Sequence, residues 1–418
     1  MSTNTKRIVV TGLGAVTSLG NSVADSWKAL LEGKSGIARI TKFDPTDYRC
    51  QIAGEIKDLD IAAYVAPKEV KRLDPFCHYA VVAGDEALKQ AGLIGDNAFA
   101  FDPTRAGVIV SSGIGGIGTV MEQAAILNAQ GPSRVSSLTV PMMISDMASG
   151  YLAIRNNMQG PNFGLVSACA SGLHSIGEAY WVIVRGDADI MLAGGAEAGV
   201  VGLGQAGFSS MKALSTRNDE PTRACRPFDK DRNGFVPAEG AGVLVLESEE
   251  HARNRGANIL AEIVGYGLSA DAFHITAPRE DGDGAKRAMA MAFNHAQIPV
   301  EKLDYVNAHG TSTHLNDKME TAAIKTVLGE HAYKTAISST KSMTGHMLGA
   351  AGGFESVVCV KAIEEGIIPP TINYETPDPE CDLDYTPNKP REMQVNLALN
   401  NSLGFGGHNA SVLFAKYR

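Results

Sequence analysis

The sequence predicts an α/β fold with mainly parallel strands. Short apolar, β-rich runs alternate with amphipathic helical patterns over most of its 418 residues, which is typical of this class. The 45 glycines fall mostly between these elements, as tight strand–helix turns require. A faint internal repeat indicates two similar halves, because a strand, small residues and a Gly/Ala-rich helix occur around Cys169 and again over 337–352.

The predicted elements divide near residue 255. The predicted strands are 8–11, 106–111, 164–167, 190–193, 242–246, 260–266, 304–307, 336–339, 395–400 and 410–414, and the helices include 23–31, 79–91, 284–296 and 319–328. We expect an N-terminal unit over 1–255 and a C-terminal unit over 256–418. The stretch 214–240 is rich in charge, Pro and Gly, so we interpret it as a long surface excursion.

Composition argues against several classes of protein. The net charge of −9 disfavours general nucleic-acid binding, and no apolar run is long enough for a membrane span or a secretory signal. The six cysteines are scattered, with no CxxC and no Cys–His cluster, which is typical of reduced cytosolic thiols. We therefore expect a cytoplasmic protein without a metal site that binds neither nucleic acid nor membrane.

Cys169 is the first candidate for chemistry. It follows a predicted buried strand and precedes a predicted helix that ends at Gly186. The free N–H groups and the dipole at a helix N-terminus stabilise a thiolate, which favours a nucleophile. A free cysteine is as often a small core residue, so this segment alone leaves both interpretations open.

His309 is the second candidate. It follows the predicted strand 304–307, at the carboxyl end where α/β folds carry reactive groups. The hydroxyls of Thr311 and Thr313 in the same loop can bind a polar ligand. A lone histidine is more often structural, but this loop of small polar residues favours a functional one.

Lys341 and His346 lie in the second Gly-rich turn. A lysine between a buried strand and a Gly/Ala helix needs a partner, and Glu355 on that helix is the best candidate. The alternative is a lysine whose charged end reaches the surface, which the apolar surroundings disfavour.

The run 400–409 contains three glycines around Phe405. Glycines allow φ > 0 and can turn backbone N–H groups inward, as an oxyanion site requires. A plain glycine-rich hairpin turn is the alternative. Phe405 among glycines is expected to be exposed and to act as a moving lid.

Together these segments resemble the β-ketoacyl-acyl-carrier-protein synthases of the thiolase superfamily, and their elongating members most of all. The resemblance spans essentially the whole chain. The segments that carry it are 162–172, 213–219, 226–231, 307–313, 337–352, 369–373 and 400–409.

The resemblance implies a thiolase-like five-layer αβαβα fold and a homodimer. The implied reaction is the decarboxylating Claisen condensation of malonyl-acyl-carrier protein with an acyl-enzyme thioester, in fatty-acid elongation. The implied enzyme is an acyltransferase that needs no cofactor of its own, because phosphopantetheine arrives on the acyl carrier protein.

The resemblance also implies roles for residues. Cys169 is the expected nucleophile, His309 and His346 handle malonyl decarboxylation, and Lys341 is structural and electrostatic. The other implied sets are Glu320 and Glu355 behind the catalytic residues, the N–H groups of Cys169 and Phe405 as the oxyanion hole, Ile114, Phe208 and Phe405 at the acyl pocket and its gate, and Thr276, Thr311 and Thr313 at the pantetheine arm.

Acyl carrier proteins are acidic, so this acidic chain needs a basic docking patch. The candidates are Lys68, Lys71, Arg72, Arg134 and Lys212, and the alternative for the first three is a solvated helix face. Two positions depart from the family pattern: His314, where members often have proline, and His408, where they often have threonine. We expect neither to be a third catalytic histidine.

Alternative functions differ in which residues they require. A degradative thiolase uses a second cysteine near the C-terminus, where this chain has Gly404–Gly406. A non-catalytic chain-length partner lacks the nucleophile, whereas Cys169 is present. A polyketide condensing enzyme that keeps the full site stays open as the main alternative.

Overall fold

Strands and helices alternate along the chain in a computed structural model that describes residues 6–95 and 98–418. The strands are β1 Ile8–Val16, β2 Ala38–Arg39, β3 Ile52–Ala53, β4 Ile94–Gly95, β5 Ala98–Phe99, β6 Ala106–Ser111, β7 Ile190–Glu197, β8 Gly240–Ser248, β9 Ala261–Ala270, β10 Tyr305–Asn307, β11 Ala336–Ser338, β12 Ile367–Ile368, β13 Arg391–Glu392, β14 Leu397–Gly404 and β15 His408–Ala415. The helices are α1 Val23–Leu31, α2 Pro67–Val70, α3 Pro75–Gln90, α4 Ile117–Gln130, α5 Thr139–Met143, α6 Met147–Asn156, α7 Ser171–Arg185, α8 Gly202–Ser210, α9 Glu249–Asn254, α10 Asp283–Ala296, α11 His314–Leu328, α12 Lys341–Thr344 and α13 Ala351–Glu365.

A nine-stranded mixed sheet runs through the described residues in the order β11-β10-β14-β15-β9-β1-β8-β7-β6. Its two ends come from the two parts of the sequence, and they meet where Ile8–Val10 pairs with Ala261–Ile263. Pairing is parallel for β6–β7, β10–β11 and β10–β14 and antiparallel for the other pairs in this order. The expectation of mainly parallel strands is therefore wrong, and the boundary near residue 255 stays a prediction.

The helices form three layers around the sheet. α3 and α6 cover the outer face of β1, β6 and β8, and α10 with α11 lies outside β9 and β15. Between the two ends of the sheet, α7 and α13 pack against each other and contact strands of both. The two ends of the sheet are the two β layers between these three helical layers, which gives the predicted five-layer αβαβα arrangement.

The central helices begin with the same local structure. Each follows a 3₁₀ turn, Ala168–Ala170 or Leu348–Ala350, whose first residue has a left-handed φ of +51° or +48°. The two turns lie close together, since a Cβ on Gly172 would be 2.6 Å from the Gly349 oxygen. The internal repeat in the sequence therefore corresponds to one turn–helix unit used twice.

Residues 163–167 form no strand, contrary to the prediction. Asn162 makes one isolated bridge to Val108 of β6, and beyond it the chain runs along the sheet edge. Phe163 and Val166 are 38% and 60% exposed. Their apolar character predicted burial, but these side chains face outward from the edge.

The stretch 214–240 is irregular as predicted but largely buried, so its interpretation as a surface excursion is wrong. Arg226 and Arg232 are buried and pair with Asp229 at 2.9 Å and with Asp378 at 2.6 Å. Charge in the sequence suggested solvent, whereas these ion pairs satisfy the buried guanidinium groups within the protein.

Among the described residues, no helix has the length and apolar character needed to span a membrane.

Candidate active site

Cys169 lies in the 3₁₀ turn at the start of α7, where the sequence placed it. Two hydrogen bonds from neighbouring serines hold this turn. The Ser171 hydroxyl donates to the Ala168 carbonyl at 2.7 Å, and the Ser167 N–H donates to the Ser171 hydroxyl at 2.9 Å. Cys169 as a whole is 7% exposed.

Opposing effects set the pKa of the Cys169 thiol. Burial, together with the charge of Glu197, raises its pKa to about 12, while the charge of Lys341 and the backbone N–H groups of Phe405 and of Cys169 lower it. The helix end and the lysine therefore act in the expected direction, but the loss of solvent outweighs them.

His346 directs a ring nitrogen at this sulfur. Its Nε2 lies 3.1 Å from the Cys169 Sγ, and its Nδ1 accepts a hydrogen bond of 3.3 Å from the Leu348 N–H. Burial and the charge of Lys341 lower its pKa well below the usual value. The ring is therefore neutral, and because Nδ1 is an acceptor, Nε2 carries the proton.

His309 stands beside His346 with the two rings nearly perpendicular, 5.3 Å apart at their centroids. The N–H groups of His309 and Gly310 each donate to the Glu320 carboxylate at 2.8 Å, which fixes the loop after β10. Burial, Lys341 and His346 lower the pKa of His309 well below its usual value. Burial raises the pKa of Glu320 to about 7, against the effect of its two N–H donors.

Lys341 and Glu355 form the predicted pair. The ammonium group donates to the Glu355 carboxylate, and both residues are almost completely buried. Burial raises the pKa of Glu355, while Lys341 lowers it. The pair therefore places a positive charge beside the thiol and both imidazoles, since Lys341 influences all three.

The glycine-rich run forms a tight hairpin turn between β14 and β15, with Gly404 paired to His408. The Phe405 N–H also approaches the Cys169 sulfur. A hairpin turn and an inward-facing N–H group, given above as alternatives for this run, are therefore compatible with each other. A Cβ on Gly404 would lie 2.6 Å from the Ser167 oxygen, which explains why glycine is needed there. Phe405 is half-buried, so the prediction of an exposed aromatic is wrong.

A cavity of 340 Å³ opens above the thiol. Most of the residues predicted for the pantetheine arm and the acyl gate line it together with Cys169, His309 and His346: Phe208, Thr276, Thr311, Thr313 and Phe405. Ile114 does not line this cavity, but it packs in one apolar cluster with Cys169, Phe208 and Leu348.

The five basic docking candidates are all exposed, but they do not share one location. Lys212 lines the cavity, as does His314, one of the two residues that differ from the family pattern. Lys68, Lys71 and Arg72 lie on and after α2, Arg134 ends a separate 3₁₀ turn, and none of these four lines the cavity.

Glu197 is a site residue that the sequence did not reveal. This fully buried carboxylate accepts hydrogen bonds from the N–H groups of Gly113 at 2.8 Å and of Gly349 at 2.9 Å. It thereby ties the turn that carries Ile114 to the turn after His346. The available signal was an acidic residue at the end of an apolar strand, where a carboxylate must find buried donors.

Two family models match most of the chain. Residues 5–252 match the N-terminal domain of beta-ketoacyl synthase, and residues 260–375 match its C-terminal domain. The chain belongs to the beta-ketoacyl synthase family.

No group of three or more His, Cys, Asp or Glu side chains among the described residues is arranged to hold a metal ion.

Relatives within the family agree with this assignment. The chain is 52% identical over 413 residues to 3-oxoacyl-[acyl-carrier-protein] synthase 2 of Synechocystis, covering 99% of both chains, and 49% identical to the Staphylococcus aureus protein of that name over the full length of both. A beta-ketoacyl synthase from Burkholderia phymatum superposes with a TM-score of 0.92 at 35% identity, covering 99% of this chain and 100% of the other.

A second solved structure is a type II polyketide ketosynthase in complex with its acyl-carrier protein. It has a TM-score of 0.90 at 34% identity and covers 99% of this chain and 100% of the other. The comparisons confirm the predicted family, the thiolase-like fold and the function of a condensing acyltransferase in fatty-acid elongation.

Proposed function

We propose that this β-ketoacyl synthase joins an acyl group on Cys169 to a malonyl unit carried by acyl carrier protein. One observation carries the proposal. A thiol, an imidazole 3.1 Å from it and a second imidazole perpendicular to the first meet at one cavity.

The first step is acyl transfer to the thiol. The Cys169 sulfur attacks the thioester carbonyl, the new carbon–sulfur bond forms, and the phosphopantetheine thiol leaves with the cysteine proton. The N–H groups of Cys169 and Phe405 hold the negative oxygen of the tetrahedral intermediate. Their approach to the sulfur from the helix turn and the hairpin supports this role.

Decarboxylation of the malonyl unit is the second step. The bond to the carboxylate breaks, CO₂ leaves, and the electron pair becomes an enolate. Neutral His309 and His346 donate N–H groups to the thioester oxygen as its charge grows. Their depressed pKa values support this assignment, because an imidazole kept neutral has a proton to donate and an apolar site strengthens the bond.

In the third step, the enolate carbon attacks the acyl-cysteine carbonyl in the same oxyanion site. The carbon–carbon bond forms, the Cys169 sulfur leaves and regains a proton, and a β-ketoacyl thioester departs on the carrier. Atoms and electrons balance without a cofactor on the chain, so we propose that none takes part.

We propose the acyl carrier protein as the partner, with Lys68, Lys71, Arg72, Arg134 and Lys212 as docking candidates. Lys212 has the strongest support, because it lies at the mouth of the cavity that the pantetheine arm must enter. The polyketide ketosynthase that this chain resembles was solved with its acyl-carrier protein.

We also propose a homodimer in the cytoplasm. α4, α5, α6 and the edge run 163–167 are connected elements that leave apolar side chains exposed. These are Leu127, Val140, Met143, Ile144, Ile154, Phe163 and Val166. Exposed apolar surface of this kind marks an interface.

All six cysteines are free thiols, as expected in a reducing compartment such as the cytoplasm.

Polyketide condensation is the second candidate, favoured by the TM-score of 0.90 to a polyketide ketosynthase. The two functions differ in the chain that is extended. Purified protein given saturated acyl-carrier substrates should extend them once per malonyl unit. Preference for poly-β-keto chains would favour the alternative.

Variants of the thiol and the imidazoles test the mechanism. Mass spectrometry after incubation with acyl-carrier thioester should show one acyl adduct, absent in Cys169→Ala. His309→Ala and His346→Ala should retain some acyl transfer but lose release of labelled CO₂ from malonyl-carrier protein. An adduct retained in Cys169→Ala, or unchanged CO₂ release in both histidine variants, would contradict the assigned roles.

A further inference from the structure

A buried histidine behind the nucleophile turn has no part in the three steps above. His174 lies in the first turn of α7 and is 9% exposed. Its Nδ1 is 2.7 Å from the hydroxyl oxygen of Ser167, which begins the turn that carries Cys169. Its ring lies nearly perpendicular to that of Tyr266, at a centroid distance of 6.4 Å.

The hydrogen bonds of His174 determine its tautomer. The backbone carbonyl of Asn409 in β15 lies close enough to the ring to raise its pKa against the effect of burial. A carbonyl can only accept, so the nitrogen that faces it carries the proton, and a neutral imidazole has one donor and one acceptor nitrogen. Nδ1 is therefore the acceptor, and the Ser167 hydroxyl donates to it. Burial lowers the pKa of His174 to about 4, so the ring is neutral near pH 7 and keeps both bonds.

These two bonds join the two elements that supply the oxyanion donors. Ser167 precedes Ala168, whose φ of +51° sets the direction of the Cys169 N–H. Asn409 follows the hairpin turn that supplies the Phe405 N–H. A left-handed conformation is unfavourable for a residue other than glycine, so surrounding contacts must hold the turn in this conformation.

The hairpin between β14 and β15 is also bonded to the loop that follows β9. The Asn409 side chain donates to Asp271 at 2.7 Å, and the Gly406 N–H donates to the Ile275 carbonyl at 2.9 Å. The loop that carries Thr276 is therefore connected to His174 through β15. A shift of the imidazole would move one donor group relative to the other.

We propose that His174 is a positioning residue for the condensation. By bridging Ser167 and Asn409, it holds the Cys169 and Phe405 N–H groups at the separation that a tetrahedral oxyanion requires. This inference rests on the proposed function, in which those groups form the oxyanion hole. Loss of the His174 side chain therefore affects acyl transfer more than decarboxylation, because decarboxylation depends on His309 and His346.

The test compares two steps in three variants and one control variant. Single-turnover acyl transfer to the thiol should fall about 100-fold in His174→Leu, the cost of losing one oxyanion donor. His174→Gln should recover most of the rate, because an amide can accept from Ser167 and donate to Asn409. Release of labelled CO₂ from malonyl-carrier protein should stay close to wild type in both.

Ser167→Ala removes one hydroxyl and should slow acyl transfer in the same direction, so it decides the question if His174→Leu does not fold. His331→Leu is the matched control, since its ring nitrogen bonds to the Leu303 carbonyl at 2.8 Å away from the cavity, and both steps should be unchanged.

Equal losses in the two steps, no recovery in His174→Gln, or normal acyl transfer in Ser167→Ala would each overturn the proposal. Wild-type protein that forms no acyl-cysteine would instead contradict the proposed function.

Discussion

At the scale of single residues, the site combines a protonated thiol with neutral imidazoles. Cys169, His309 and His346 are all buried, and burial disfavours the charged form of each. Lys341 counteracts this at the thiol and reinforces it at the imidazoles. One ammonium group therefore favours both the thiolate nucleophile of the first step and the neutral N–H donors of the second.

The raised pKa of Cys169 predicts a strong pH dependence of its alkylation. Because the pKa is about 12, only a small thiolate fraction exists at neutral pH. The rate with iodoacetamide should rise about tenfold per pH unit between about pH 7 and pH 10.

The alkylation is followed by mass spectrometry of the peptide that contains Cys169, with Cys169→Ala as the control for the other cysteines. A rate that levels off near pH 7 would show that the free enzyme already holds a thiolate.

At the scale of elements, the hairpin between β14 and β15 must approach the nucleophile turn closely. Gly404→Ala places a Cβ 2.6 Å from the Ser167 oxygen, so the Phe405 N–H should move away from the site. Acyl transfer should fall by about 10²-fold or more.

The matched control is Gly207→Ala in α8, where a Cβ meets nothing within 4 Å. It should keep full activity and gain about 0.5–1 kcal/mol in the free energy of unfolding. Comparable acyl-transfer losses in both variants would contradict the close-approach argument.

The turn after β6 should set the length of chain that the pocket accepts. Ile114 packs in the cluster around Cys169, and its backbone is held by the Glu197 carboxylate. Ile114→Phe adds bulk that this packing absorbs only at a cost of about 1–3 kcal/mol.

Short acyl groups should therefore still reach Cys169, while long ones are excluded, as measured with carrier substrates of graded length. Leu214→Phe enlarges another member of the same cluster and should not discriminate by length. Equal slowing of all lengths by Ile114→Phe would make Ile114 ordinary core packing.

The element scale also shows where sequence reasoning succeeds. The turns that carry Cys169 and His346 were recognisable, because small residues followed by a Gly/Ala-rich helix form a local pattern. Lys341 and Glu355 were predicted as partners, because a lysine in an apolar setting requires a nearby carboxylate.

Other features depend on contacts between distant segments. Strand direction is not encoded in the alternation of helices and strands, so the antiparallel pairs were missed. Arg226 and Arg232 resembled surface charges until the structure revealed their buried partners. Glu197 accepts hydrogen bonds from the backbone N–H groups of Gly113 and Gly349, which lie far from it in the sequence.

At the scale of the whole molecule, the exposed apolar surface of α4, α5, α6 and 163–167 predicts a dimer. Val166 is 60% exposed at the sheet edge, and a charge there should oppose association. Val166→Asp should shift sedimentation from dimer to monomer at micromolar concentration.

Met291→Asp is the control, because Met291 is 45% exposed on α10, outside the proposed interface. It should remain a dimer. A wild-type monomer, or dissociation of both variants, would contradict this choice of surface.

The sulfur of Cys169 and its imidazole neighbour are separated by 177 positions in the chain. During synthesis at about 5–20 residues per second, about 10–35 seconds pass between them. Throughout that interval α7 has no α13 to pack against, and the thiol has neither His346 nor the hairpin. The nascent chain therefore passes through a stage in which the apolar face of α7 is exposed to solvent. Chaperones bind exposed apolar faces of this kind.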